Sequence, residues 1–268
     1  MPSIIIPAGL DAVIHRAWTA ARDLPGFLTE NEGRFLAMAA ACAPPGGTIV
    51  EIGSFKGKST VVLATVAKAY GLQPVTAIDP HTFHSAELEV LKSAGRDSTY
   101  EEFLSNLATA GVSDHVDVRR SVSADVAQAW HQPLRFLWID GDHSYPGAKA
   151  DFDNFLPHLV PGAIVAFHDA LHEFPGPIRV FVEEVLRSDR FGAAGFVGSI
   201  AWAQFLPNSG AAFRDSRDAL DRLAAPLIPH LADGNPPHGL SKFLFKLRRS
   251  RVPRKLIPPE EWVAHLNC

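Results

Sequence analysis

Along most of the chain, short apolar runs alternate with longer stretches in which apolar residues recur every three or four positions. The first such stretch, Gly26–Cys42, reads as a helix. Thr29 and Glu32 have capping-box spacing, Phe35, Leu36, Met38 and Ala39 share a face, and Pro44-Pro45-Gly46-Gly47 stops it. From there the pattern predicts strands at Thr48–Ile52, Val75–Ile78, Val116–Arg119, Phe136–Ile139 and Ala163–Phe167. Helices are predicted between and after them, at Ser59–Tyr70, Tyr100–Ala110, Ser123–Trp130, Lys149–Leu159 and Ile178–Ser188. Two more strands, Phe191–Val197 and Ile200–Phe205, lie so close together that a closing antiparallel pair is expected.

Short apolar strands, each followed by a helix, specify an α/β fold. It is a doubly wound, Rossmann-like sheet, mostly parallel with a C-terminal antiparallel strand, and helices cover both faces. The chain divides into an N-terminal helical segment (1–45), the core (46–207) and a helical, basic C-terminal extension (208–268). In such a sheet ligands collect outside the carboxyl ends of the strands. The chemistry is therefore sought just after Ile52, Ile78, Arg119, Ile139 and Phe167.

Composition narrows the classes. Of 268 residues, 47% are apolar and 20% charged, which excludes a disordered chain and a coiled coil. No apolar run approaches the roughly 18 residues of a membrane span. The first residues lack the pattern of a secretory leader. Cys42 and Cys268 cannot make a disulfide framework, so a reducing cytoplasm is expected. Charge is uneven: seven basic residues and no acid lie between Lys242 and Lys255, although the whole chain carries −4. That tail reads as a solvated helix folded back on an acidic body, or as a weak contact for an anionic membrane surface or polymer. No nucleic-acid partner is expected, and a homo-oligomer is compatible with the sequence.

After the first predicted strand the chain reads Glu51-Ile52-Gly53-Ser54-Phe55-Lys56-Gly57-Lys58-Ser59-Thr60. Two glycines four apart let backbone come close to a ligand. A P-loop needs four residues between its first glycine and Gly-Lys-Ser; three stand here. The dinucleotide fingerprint fails too, because Ser54 and bulky Phe55 stand where a glycine admits a pyrophosphate. What remains, Glu-x-Gly-x-x-x-Gly-x-Ser, resembles motif I of the class I S-adenosylmethionine (SAM) methyltransferases. The resemblance implies cofactor-binding roles for Glu51, Gly53, Ser54, Gly57 and Ser59. Asp79 follows Gly57 by 22 residues at the end of the second strand. It is placed to accept two ribose hydroxyls, or to serve as a turn acid before Pro80. After the third strand, Ser121 or Ser123 falls where that family holds adenine; Ser123 reads equally as a helix cap.

The fourth predicted strand ends in Asp140-Gly141-Asp142-His143-Ser144-Tyr145 and the fifth in His168-Asp169. A doubly wound order puts these ends side by side. Like charges crowd there, which a fold does not arrange without cause. Together with Pro161-Gly162-Ala163-Ile164-Val165-Ala166-Phe167, these residues resemble the metal-dependent small-molecule O-methyltransferases, with macrolide-sugar and catechol-type relatives. The resemblance spans about residues 26–205. It implies that Asp140 ligates a divalent metal, Mg²⁺ by preference, and also touches the cofactor. It further implies that His143 is the general base and Asp169 a second ligand. His168 stands where the sugar-modifying branch has an acid, and imidazole suits Zn, Ni, Cu or Fe better than Mg²⁺. Either His168 ligates a different metal, or it turns away and Asp142 or water replaces it, or metal is dispensable.

The expected activity is methyl transfer from SAM to a hydroxyl of a sugar, glycan or other small molecule. Trp138, Trp202, His172, Phe174 and the His81–His84 segment are candidates to line the acceptor pocket, and residues 80–100 are long enough to form a lid. The rival readings are a metal-dependent hydrolase, an NAD-binding oxidoreductase and a non-catalytic SAM-binding module. The first two leave the glycine loop and Asp79 unexplained or ill-fitted.

Overall fold

The computed structural model describes residues 4–82, 98–232 and 234–267. Seven strands form one sheet: β1 (Thr48–Ile52), β2 (Val75–Ile78), β3 (Val116–Arg119), β4 (Leu134–Ile139), β5 (Leu159–Phe167), β6 (Phe191–Val197) and β7 (Ile200–Phe205). Their order is β3-β2-β1-β4-β5-β7-β6. Strands β1 to β5 are parallel, and β7 is antiparallel to both β5 and β6. The antiparallel strand is thus inserted between β5 and β6, with β6 at the edge.

Because both faces are covered, strand residues are apolar on both sides and alternate in destination. Phe136 and Trp138 of β4 enter one core, and Leu134, Leu137 and Ile139 the other. The first core is closed by α1 (Leu10–Ala21), α2 (Glu30–Cys42), α3 (Lys58–Tyr70) and α4 (Tyr100–Thr109). The second lies under α5 (Ser123–Gln128), α6 (Tyr145–Phe155) and α7 (Pro175–Val180), the last continued by a π-helical turn at Phe181–Leu186. The C-terminal helices are shared out: α8 (Arg214–Ala224) and α9 (Gly239–Arg249) join the second core, and α10 (Pro259–Leu266) the first. Trp262 of α10 packs edge-on to Phe35 of α2 and to Trp202 of β7. Asn267 bonds the backbone of Ile4 in both directions, joining the two ends of the chain. Arg217 of α8 is fully buried and donates to the carbonyls of Leu186, Gly210 and Phe191. Among the described residues, no helix is long and apolar enough to cross a membrane.

Local boundaries differ from the pattern where turn chemistry intervenes. Helix α6 starts four residues before the expected Lys149, because the Ser144 hydroxyl accepts the Gly147 N–H and Pro146 suits a first turn. Strand β5 starts at Leu159, and the extra Pro161-Gly162 is absorbed by a register shift against β4. The Thr29–Glu32 capping pair forms as expected, but the helix begins only at Glu30.

The parallel ladder runs one residue beyond the strands. The N–H groups of Gly53, Asp79, Asp140 and His168 donate to the carbonyls of Ile78, Arg119, Ile52 and Ile139 at 2.9, 3.1, 2.8 and 2.9 Å. These four residues therefore line up along the carboxyl rim, with Gly53 and Asp140 at the switch point where strand order reverses. Gly53 has φ +84°, and a Cβ there would collide with the carbonyl of Asp140. Gly46 has a similar φ of +88° but nothing within 4 Å of its missing Cβ. Gly46→Ala should therefore cost about 1 kcal/mol of backbone strain, and Gly53→Ala at least twice as much, about 2 kcal/mol or more, in urea denaturation. Equal losses at the two positions would show that Asp140 does not crowd Gly53.

Candidate functional site

The glycine loop is held from below and from the side. Glu51, fully buried on β1, accepts hydrogen bonds from the hydroxyls of Ser59 and Thr60, both at 2.5 Å. It thereby pins the start of α3 beneath the loop, and Ser59 is spent on this contact. Gly57, at φ +88°, lies against the Phe103 ring of α4. The two glycines are thus required by neighbouring backbone and an aromatic ring of the protein itself, a reason that spacing alone does not give. Ser54 Oγ is buried with no hydrogen-bond partner among the described residues.

Asp79 binds the loop rather than standing open beside it. Its Oδ2 accepts the N–H groups of Ser54 and Phe55 at 2.9 and 2.7 Å, and its Oδ1 accepts the His81 N–H at 2.6 Å. Phe55 and His81 have φ of 46° and 54°, left-handed values that side chains disfavour. One carboxylate thus holds two strained turns in place. His81 is buried against Tyr100 and Phe103 and bonds Thr99 Oγ1 at 3.0 Å. Burial pulls its pKa down against the charge of Asp79. The remainder of the expected lid, 83–97, lies outside the described residues.

On the other side of the switch point, Asp140, His143 and Asp169 bring one ligand atom each to within 4.8 Å of one another. His143 Nε2 lies 3.2 Å from Asp140 Oδ1 and 3.8 Å from Asp169 Oδ2. Its ring stacks on Phe174 at 4.6 Å. Burial works against the His143 cation, but the hydrogen bond and charge of Asp140, with Asp169 behind, raise its pKa. Asp169 reaches the group from a left-handed turn, φ 54°, just past β5. Burial penalises the Asp140 carboxylate too, yet the two histidines prevail and lower it to about 2.

His168 is placed differently from an acid-for-acid replacement. Its Nδ1 sits 3.1 Å from Asp140 Oδ1, and its Nε2 points inward, 4.0 Å from Glu32 Oε2. It is outside the convergent group of Asp140, His143 and Asp169. Burial opposes charging, but Asp140, Glu32 and Asp169 raise its pKa well above the imidazole range. In this arrangement His168 Nδ1 is directed at Asp140. Glu32 of α2 completes the network: its carboxylate accepts the Ser199 N–H and hydroxyl at 2.6 and 2.7 Å and the Thr29 hydroxyl at 2.6 Å. The sequence shows Glu32 only as a capping residue, because Ser199 is 167 positions away.

Other candidates are absent from the group. The Asp142 carboxylate is taken by the Ser144 N–H and hydroxyl, each at 2.9 Å, and supports the cap of α6. Ser123 is not the helix cap; its hydroxyl bonds Asp151 on α6. Ser121 stays on the rim, its N–H bonded to the Arg119 carbonyl. Trp138 and Trp202 are fully buried in the core, which removes them from any acceptor pocket; Phe174 and His172 stay at the rim.

Glu51 gives the site a pH signature. Burial, opposed by its two hydroxyl donors and aided by Asp140 and Asp79, raises its carboxyl to about 8. Between about pH 4.5, its ordinary value, and pH 8 the folded chain holds a proton the unfolded chain has released, so stability falls as pH rises. Glu51→Gln keeps the shape without the titration. Its unfolding free energy should decline less across that window, by on the order of 1 kcal/mol per pH unit. Parallel stability profiles for parent and variant would exclude a titrating Glu51.

Residues 50–170 match a family described as a methyltransferase domain. The structure of the O-methyltransferase NovP superposes with a TM-score of 0.55 at 14% identity, over 74% of this chain and 98% of that one. A putative O-methyltransferase from Klebsiella pneumoniae gives 0.51 at 20% identity, over 76% and 92%. The O-methyltransferase TomG from Streptomyces achromogenes, involved in tomaymycin synthesis and solved with SAM, gives 0.50 at 20%, over 76% and 92%. At these identities the likeness is one of fold. An uncharacterized protein from Sinorhizobium fredii is 52% identical over 33 residues, 12% of this chain but 4% of that one, so the chain spans a small fraction of its length. The matched family gives no support to the hydrolase or nicotinamide readings. With the glycine loop at the switch point of a β3-β2-β1-β4-β5-β7-β6 sheet, residues 50–170 resemble a methyltransferase domain in sequence and in fold.

Proposed function

We propose that the chain transfers the methyl group of SAM to a hydroxyl of a sugar, glycan or other small molecule, with His143 taking the hydroxyl proton. The convergence of Asp140, His143 and Asp169 beside the glycine loop carries this reading. SAM lies along the rim. The loop from Gly53 to Gly57 faces its methionine part, and the buried, unpartnered Ser54 hydroxyl is a polar atom that a ligand can satisfy. Asp79 has spent three acceptances on backbone, and a carboxylate offers about four, so one remains for a ribose hydroxyl. Ser121 is the rim residue for adenine.

In the transfer, the acceptor oxygen attacks the methyl carbon in line with the sulfonium. The C–O bond forms as the S–C bond breaks, the proton passes to the His143 ring nitrogen that is not engaged with Asp140, and S-adenosylhomocysteine leaves. An alcohol hydroxyl hardly ionises at neutral pH, so it needs a base within reach. That requirement favours a sugar or polyol over a catechol. Asp140 stabilises the imidazolium that forms, Phe174 fixes the ring plane, and His168 with Glu32 holds the Asp140 carboxylate. A divalent ion fits the two convergent carboxylates, Asp140 and Asp169. It would supply Lewis acidity toward the developing alkoxide.

Loss of the base should show in turnover alone. His143→Ala should lower kcat by about 10²–10⁴-fold, while SAM affinity measured by calorimetry stays within a few-fold. Full turnover by His143→Asn would remove the base. The ion is tested separately: exhaustive chelation should lower activity, Mg²⁺ or Mn²⁺ should restore it, and Asp169→Ala should block the rescue. Unchanged activity after chelation would take the ion out of the reading and leave the methyl transfer standing.

A further inference from the structure

Helix α9 presents two apolar faces, and folding uses only one. Phe245, 1% exposed, and Val252 beyond the helix seat it on the second core. On the outer side Leu240, Phe243 and Leu247 stand at i, i+3 and i+7 and are 72%, 61% and 43% exposed. A soluble surface helix normally keeps its outer face polar. The cations around this stripe divide in the same way. Lys242 pairs with Glu173, Arg248 bonds His230 and the Pro226 carbonyl, and Arg249 bonds the Leu171 carbonyl, so these fasten the helix to the body. Lys246 on the helix and Arg251, Arg254 and Lys255 in the segment that follows it are exposed.

We propose that the outer face of α9 docks on an anionic lipid bilayer surface. Leu240, Phe243 and Leu247 enter the headgroup–acyl boundary, and Lys246, Arg251, Arg254 and Lys255 meet the lipid phosphates. The charge pattern selects this occupant. A second copy of the chain would set cations against cations, and three side chains fall short of the roughly 800 Å² per partner of a stable interface. A polyanion would satisfy the cations and leave Leu240, Phe243 and Leu247 in water. A bilayer with acidic headgroups satisfies both. The helix is tied through Glu173 and Leu171 to the loop that carries Phe174, which stacks on His143. Docking would therefore bring the acceptor side of the rim close to the lipid surface.

The test uses the whole chain and vesicles of phosphatidylcholine, with or without about a quarter phosphatidylglycerol, in co-sedimentation. The chain should bind the acidic vesicles, leave the neutral ones largely in the supernatant, and lose most binding in high salt. Replacing the stripe (Leu240→Ser, Phe243→Ser, Leu247→Ser) should weaken partitioning by about tenfold or more, with circular dichroism and thermal unfolding unchanged. The positions are exposed, so the fold does not depend on them. Failure of the parent to bind acidic vesicles overturns the proposal, as does undiminished binding by the triple variant. So does a parent dimer in sedimentation velocity that the triple variant dissociates, because a second copy would then cover the face.

Discussion

Four backbone hydrogen bonds, one residue past the ends of β1, β2, β4 and β5, set everything at the rim. They place Asp79, Gly53, Asp140 and His168 side by side in strand order. The contact between the Gly53 backbone and the Asp140 carbonyl leaves no space for a side chain at that point. A shift of one residue in any of these strands would turn its rim side chain to the other face. The parallel register, itself enforced by apolar residues buried on both sides, is thus what converts a sequence of separated strand ends into one site.

The rim is also where the fold accepts electrostatic and conformational cost. Among the described residues, the non-glycine residues with positive φ are Phe55, His81 and Asp169, and all follow strand ends. Asp79 stabilises the first two through their N–H groups. Around β4 and β5, Asp140, Asp169 and Glu32 lie about His168 and, for the two aspartates, His143. Removing one partner from such a buried set leaves the others uncompensated, which is more costly than the pair is worth. The arrangement behaves as a unit: α2 contributes Glu32, β4 Asp140, β5 leads into His168 and Asp169, and the turn between β6 and β7 supplies Ser199. An N-terminal helix and a late hairpin thereby reach the candidate chemistry without touching its outer surface.

The chain beyond the sheet is bound to it in two ways. Trp262 and Asn267 bring the last helix against α2 and the start of the chain, while Arg217 fastens α8 to the start of β6 through three carbonyls and the Asp189 carboxylate. Helix α9 is different, since its inner face is anchored and its outer face is matched to nothing among the described residues.

Period and punctuation in the sequence determined the βα alternation, the strands, the carboxyl rim and the placing of Asp140, Asp142, His143, His168 and Asp169 on it. Those are local properties: two-residue and 3.6-residue periods, glycine at helix ends, and polar residues just after apolar runs. The tertiary structure alone decided which acids face one another. Asp142 is two residues from Asp140 yet turns back to the Ser144 cap, and Ser123 is bound to Asp151 on another helix. Glu32 acquires its role from Ser199 and His168, partners that no window of sequence contains. The pKa of His168 is raised because two other elements bring carboxylates to it, and Trp138 is taken out of the rim because alternation on β4 sends it into the core. Hydrogen bonds and charge act between residues close in space, and proximity between distant segments exists only once the sheet has formed.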